Sequence, residues 1–227
     1  MLNYEVDASL LLPFVPAGTE LDLWDGKAFV SLIGFQFLKT KLLGFLAIPL
    51  HVNFEEVNLR FYVRRQVGDE VRRGVVFIRE LVPRRAIAYV ARTFYNENYV
   101  AMPMAHDVWP NGSDGFRATY RWRNVKDWNS IEVETVGACR LPEAGSIEQF
   151  ITEHYWGYAA QPDGRSVEYQ VTHPSWRVWQ VREATFKGDG EDLFPNGLAT
   201  ALRGNPASAF LAEGSAVSVR HGQRLPL

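Results

Sequence analysis

Four polar side chains recur at alternate positions in one short stretch of the chain: Glu56, Asn58, Arg60 and Tyr62. Val57, Leu59, Phe61 and Val63 stand between them. A period of two is that of a β-strand, whose successive side chains leave by opposite faces. The apolar set reads as core. The polar set joins a carboxyl to an amide, a guanidinium and a phenol. These groups can hold a ligand carboxylate or carbonyl and, through the glutamate, give or take a proton. Spacing alone leaves two readings open. The polar face lines a cavity, or it faces water, where Glu56 and Arg60 form an exposed pair that contributes little.

Two further segments could carry chemistry. The stretch from Ala91 to Met104 is rich in aromatics, amides and methionines. Arg92, Tyr95, Asn98, Met102 and Met104 are its candidate ligand contacts, although such side chains also fill cores. In Thr172-His173-Pro174-Ser175-Trp176 a histidine falls at a predicted strand end, before a proline that stops pairing. There an imidazole is suited to proton transfer or to a structural role, with Trp176 as a neighbouring contact. Five histidines are scattered without metal-ligand spacing, and no phosphate loop or Gly-x-Ser-x-Gly elbow occurs. No cofactor or metal is expected.

The elements that must position these residues make one domain over 1–227. A hydrophobic fraction of 47% supplies a core, and 24 basic against 26 acidic residues give no charge excess to attract nucleic acid. The single cysteine, Cys139, rules out an intrachain disulfide and agrees with a reducing, cytoplasmic compartment. The apolar run Leu10–Leu12 is interrupted by prolines and is not a leader. Leu42–Leu50 is far shorter than the roughly 20 residues that cross a bilayer, so no membrane contact is expected. Self-association into a homo-oligomer stays open.

Asp7 predicts an N-cap for a short helix over Ala8–Leu12. Asp25-Gly26 predicts a hairpin joining Leu21–Trp24 to a strand from Ala28 to Phe37. The stretch 39–53 is an apolar connection without an assigned form. Phe54–Arg64, Gly74–Glu80 and Ala86–Thr93 predict an antiparallel meander. Gly115–Arg123 and Ser130–Ala138 predict a hairpin in which Glu132 and Glu134 face arginines on a wet surface. Ser146-Ile147-Glu148-Gln149 reads as a capping box opening a long helix whose stripe is Ile147, Phe150, Ile151, His154, Tyr155 and Tyr158. Strands over Ser166–His173, Arg177–Phe186 and Ala216–Arg220, and a helix from Asn196 to Gly204, complete an α+β pattern without βαβ alternation.

At these same residues the chain resembles the YqjF-like proteins, a family of unknown function. The likeness rests on Phe54 to Arg64, Gly74 to Phe77, Val90 to Arg92 and the Tyr95–Met104 loop. Pro16 to Asp22, Asp25 to Val30, Phe150 to Tyr155 and His173 to Trp176 extend it over nearly the whole chain. That family is similar in fold to acetoacetate decarboxylase. The resemblance implies a mixed, largely antiparallel, strongly curved sheet forming a cone-like barrel around an internal cavity, with two or three short helices. It also turns the polar face of 55–63 inward and makes Glu56 similar to the decarboxylase's active-site glutamate.

The decarboxylase works through a lysine Schiff base, and the matching stretch from Tyr95 to Ala101 contains no lysine. Schiff-base decarboxylation is therefore disfavoured. The expected activity is binding of an organic carbonyl or carboxylate in a cavity. Alternatives are a non-covalent lyase, isomerase or hydratase using Glu56 or His173, and a protein-interaction module with an external polar face.

Overall fold

The computed structural model describes residues 1–38, 53–84, 98–112, 115–125 and 127–226. Its framework is one sheet of 15 strands, in the path β14-β11-β10-β5-β4-β3-β1-β13-β12-β9-β8-β7. The strands that place the site are β1 (Leu2–Val6), β3 (Ala28–Phe37), β4 (Phe54–Val67), β5 (Glu70–Val82), β6 (Tyr99–Ala101), β10 (Trp156–Ala160) and β11 (Ser166–Thr172). Their neighbours are β7 (Met104–Asn111), β8 (Gly115–Arg123), β9 (Trp128–Arg140), β12 (Val178–Lys187) and β13 (Ser208–Ala212). The short strands β2 (Glu20–Leu21), β14 (Ser218–Val219) and β15 (Gln223–Arg224) flank this path.

Pairing is antiparallel except where β10 and β6 run parallel to β5. The sheet is strongly curved, and β14 and β7 end an open path among the described residues. Gly34 shows how closely it folds on itself: a Cβ there would lie 2.6 Å from the ring of Tyr120 on β8.

Central position buries β4 on both faces. Val57, Leu59, Phe61 and Val63 join the main core with Val30, Leu32, Val76 and Leu81. Tyr62 joins a second core with Phe29, Val75, Phe150, Ile151, Val178 and Phe210. The helix α1 (Ile147–Thr152) supplies Phe150 and Ile151 to that second layer. Removing such side chains from water stabilises by roughly 1.5–3 kcal/mol each. The polar residues of β4 are therefore not a solvent ladder.

Several predicted elements change form. Asp7 does cap, accepting from Ser9 N at 2.8 Å, but it opens two 3-10 turns, Ala8–Leu10 and Leu12–Phe14. Asp25 and Gly26 take the positive φ values of a tight turn, 51° and 74°. Glu20–Leu21 nevertheless pairs with β4, because β1 occupies the place beside β3. Ser146 caps α1 by accepting from Gln149 N, and Gln149 Oε1 accepts from Gly145 N.

The helix opened by that cap ends at Thr152, not at Tyr158. Gly157 is a poor helix residue and Trp156 and Tyr158 are good strand residues, and β5 and β11 take them as the ladder β10. A second helix, α2 (Asn196–Leu202), matches its prediction. The arginine ladder spans more strands than predicted: Arg117 pairs with Glu132, Arg121 with Asp107 on β7, and Arg182 on β12 with Glu134. The predicted strand Ala86–Thr93 and the connection 39–52 lie outside the described residues.

Candidate functional site

Glu56 and Asn58 are 1% and 2% exposed, and Tyr62 is 1%. Asn58 Nδ2 donates to Glu56 Oε1 at 3.0 Å, and the Tyr99 hydroxyl donates to Glu56 Oε2 at 3.1 Å. Both partners are neutral. Burial pushes the Glu56 carboxyl up to about 7, against the weaker opposing pull of these two hydrogen bonds and of Arg60. A carboxyl at that value holds its proton or releases it near neutral pH, which is what a general acid or base requires.

Farther along the same face Arg60 Nη2 donates to the Ile151 carbonyl at 3.2 Å, at the end of α1, and its guanidinium lies 5.7 Å from the Tyr62 ring. Ser31 Oγ donates to Asn3 Oδ1 at 2.6 Å, so the Tyr62 hydroxyl, 2.5 Å from Ser31 Oγ, is the donor in that contact. Asn3 Nδ2 extends the chain to Ser208 Oγ at 2.9 Å. Tyr62 is thereby committed to structure.

Sequence reading missed the other neighbour of Tyr62. His154 packs on that ring at 4.7 Å and has its Nε2 3.1 Å from Asp22 Oδ2. A carboxylate only accepts, so Nε2 carries the proton and Nδ1 keeps a lone pair. Burial holds the imidazole down at about 4, aided by the charges of Arg73 and Arg60 against the pull of Asp22. Burial pushes the Asp22 carboxyl up. Hydrogen bonds from His154 and Arg73, the latter at 2.6 Å, hold it below its usual value even so.

Asn58 Oδ1, Arg60 Nε and His154 Nδ1 are buried atoms without a hydrogen-bond partner among the described residues. Tyr4, Trp122 and Asn129 carry similar atoms elsewhere, so such an atom alone marks nothing. Two of the first three sit on the polar face of β4 beside Glu56. They offer an acceptor and a charged donor that a bound molecule could satisfy.

Residues 1–216 match the DUF2071 family, described as an uncharacterized conserved protein. The chain belongs to that family. The DUF2071 chain is also 26% identical over 175 residues to the uncharacterized protein YqjF of Bacillus subtilis, covering 77% of this chain and 69% of that one.

In fold it is similar to acetoacetate decarboxylase from Legionella pneumophila, with a TM-score of 0.64, 11% identity, and 99% of this chain and 83% of that one covered. It is similar too to the enduracididine biosynthesis enzyme MppR in complex with pyruvate: TM-score 0.58, 14% identity, 98% and 81% covered. An acetoacetate decarboxylase-like enzyme from Sphingomonas wittichii gives a TM-score of 0.57 at 15% identity, over 98% and 86%. These establish a decarboxylase-like fold for the DUF2071 chain.

The remaining predicted site residues of the DUF2071 chain do not gather at Glu56. His173 and Trp176 stack on each other at 4.2 Å, with Tyr155 4.9 Å from His173. They border a separate surface cleft that His173 and Tyr155 line. His173 Nδ1 lies 2.9 Å from the Pro174 carbonyl. Half-buried, its imidazole is held below the ordinary value by burial and by the charge of Arg60.

Met102 and Met104 pack against the main core, on the apolar side of β4, and Asn98 is exposed. Arg92 and Tyr95 lie outside the described residues. Tyr99, three positions before Met102, is the contact the sequence concealed. Its position on a short parallel strand beside β5, which pairs it with Glu80, brings its hydroxyl to Glu56.

No helix among the described residues is long and apolar enough to cross a membrane.

Proposed function

We propose that this DUF2071 protein binds a small organic carbonyl or carboxylate compound at the polar face of β4, with Arg60 and Asn58 orienting it beside Glu56. The observation that carries the reading is Glu56 itself: a buried carboxyl with two neutral partners and no ion pair among the described residues, raised to about 7. A buried carboxyl with strained titration, next to unsatisfied polar atoms, is expected at a binding or catalytic centre. Arg60 Nε suits a carboxylate or carbonyl oxygen, and Asn58 Oδ1 suits a hydroxyl or enol proton.

The burial of Asn58 and Glu56 also speaks against the reading of an external interaction face. A complex of the similar fold MppR contains pyruvate, which supports oxo acids as the class to screen. The acid–base alternative builds on the same carboxyl. On an enolisable ligand held by Arg60, Glu56 takes a proton from the carbon next to the carbonyl and returns it, without covalent attachment. Here the general acid or base is Glu56; His173 belongs to the other cleft.

Thermal-shift measurements with pyruvate, acetoacetate and longer oxo acids test the proposal. A ligand at 100 times its Kd adds about 2.7 kcal/mol of apparent stability. A raised Tm with at least one oxo acid, lost in Arg60→Ala and in Asn58→Leu, is expected. No shift across the series, or a shift that both variants retain, overturns the assignment.

A further inference from the structure

The surface cleft where β5 begins and β11 ends has a volume of about 510 Å³, within the range of small-molecule sites. Glu56, Asn58 and Arg60 do not line it, so it is a second place from the one proposed above. Its charges cancel closely. Arg73 Nε is held by Asp22 Oδ2 at 2.6 Å, and Glu70 is paired with Arg72 at 3.1 Å. Glu153 remains. Its two oxygens accept from neutral donors, Ser175 Oγ at 3.0 Å and Gln149 Nε2 at 3.2 Å. Such a wall has no positive excess with which to capture a phosphate or another multivalent anion.

What it does have is uncommitted, uncharged hydrogen-bonding capacity beside fixed rings. The Tyr155 hydroxyl, the Gln170 amide and the Thr172 hydroxyl line the cleft and make no hydrogen bond among the described residues. The rings are held in place: Tyr155 lies on His173 at 4.9 Å, His173 on Trp176 at 4.2 Å, and Arg72 on Trp156 at 4.3 Å. Rigid aromatic surface flanked by amides and hydroxyls suits a molecule with an apolar face and a rim of alternating donors and acceptors.

We propose that this cleft binds a neutral polyhydroxylated ligand, a sugar ring whose C–H face lies along the Tyr155–Trp156 wall while Gln170 and Thr172 take its hydroxyls.

Saturation-transfer difference NMR on the full chain tests it, with methyl glucoside, methyl galactoside and methyl mannoside as probes. Transfer to the ring C–H protons of at least one glycoside is expected. It should vanish in Tyr155→Ala and fall several-fold in the Gln170→Ala, Thr172→Val double variant, whose changes are on partly or fully exposed strand positions and leave the fold intact. Glu56→Gln should leave it unchanged, which separates this cleft from the oxo-acid site. No transfer to any of the three glycosides, or transfer that survives both variants, overturns the proposal. Transfer to benzoate or tetramethylammonium in place of the glycosides overturns the ligand class.

Discussion

Among the buried glutamates of this sheet, Glu168 and Glu56 have surroundings that could hardly differ more. Glu168 on β11 is saturated with charge: Arg65 reaches Oε2 at 3.1 Å, Arg72 reaches Oε1 at 2.6 Å, and the Tyr158 hydroxyl donates to Oε2 at 2.9 Å. Burial and this hydrogen bond to a carboxylate both push the Tyr158 phenol up, so it stays a donor. Glu56 on β4 has an amide, a phenol and burial, with no ion pair among the described residues. The first arrangement locks strands together. The second keeps a carboxyl in a place that disfavours its charge, which serves folding poorly and chemistry well. The same residue type thus separates a structural knot from a candidate site by its partners alone.

Removing each carboxyl should therefore give opposite results. Glu168→Ala takes the carboxylate from Arg65 in a partly buried setting and leaves Arg72 with Glu70 alone, and should destabilise by about 3 kcal/mol. Chemical denaturation monitored by circular dichroism reads that loss directly, and a change below about 1 kcal/mol would remove the contrast.

Glu56→Gln should stabilise at alkaline pH. The folded pKa of about 7 lies above the ordinary 4.5. The contribution of the protonated carboxyl is then full below 4.5 and lost as pH rises through 7. The variant escapes that loss, so its advantage grows across this window to about 2–3 kcal/mol, and paired denaturation curves at pH 5 and pH 8 measure it.

His154 has the reverse sign. Its folded value of about 4 lies below 6.5, so its contribution is present above 6.5 and lost as pH falls toward 4. The His154 share should fall by about 2–3 kcal/mol over that span, against the rising Glu56 share, and the difference between wild type and His154→Phe across pH 7 to 4 isolates it. Smallest is Tyr62→Phe. It takes one donor from the Ser31–Asn3–Ser208 chain and should cost about 1 kcal/mol, with the ring packing on Phe150 and His154 kept.

The alternation of Glu56 through Val63 made β4 legible, because its apolar half is a core stripe of period two, and the capping residues at Ser146 marked where α1 starts. Which way the polar half faced was not legible from that period, since a wet strand and a cavity wall share it. The family likeness supplied the direction, and burial under α1 agrees. His154 was readable as inward but not as a partner of Asp22, which lies 132 positions earlier in the chain. Tyr99 escaped notice because a three-residue strand carries almost no periodic signal. The stop of α1 at Thr152 was hidden for a related reason. An apolar spacing that fits a helix also admits Trp156–Ala160 as a strand, and only the ladders offered by β5 and β11 decide between them.

A functional β4 face requires Glu56 to be a carboxyl that is half-protonated near neutrality. Infrared difference titration of wild type against Glu56→Gln isolates its protonated carbonyl band. The band should be present at pH 5 and disappear with a midpoint near 7. A midpoint in the ordinary range near 4.5, or no band assignable to Glu56, would contradict the reading of β4 as the wall of a functional site.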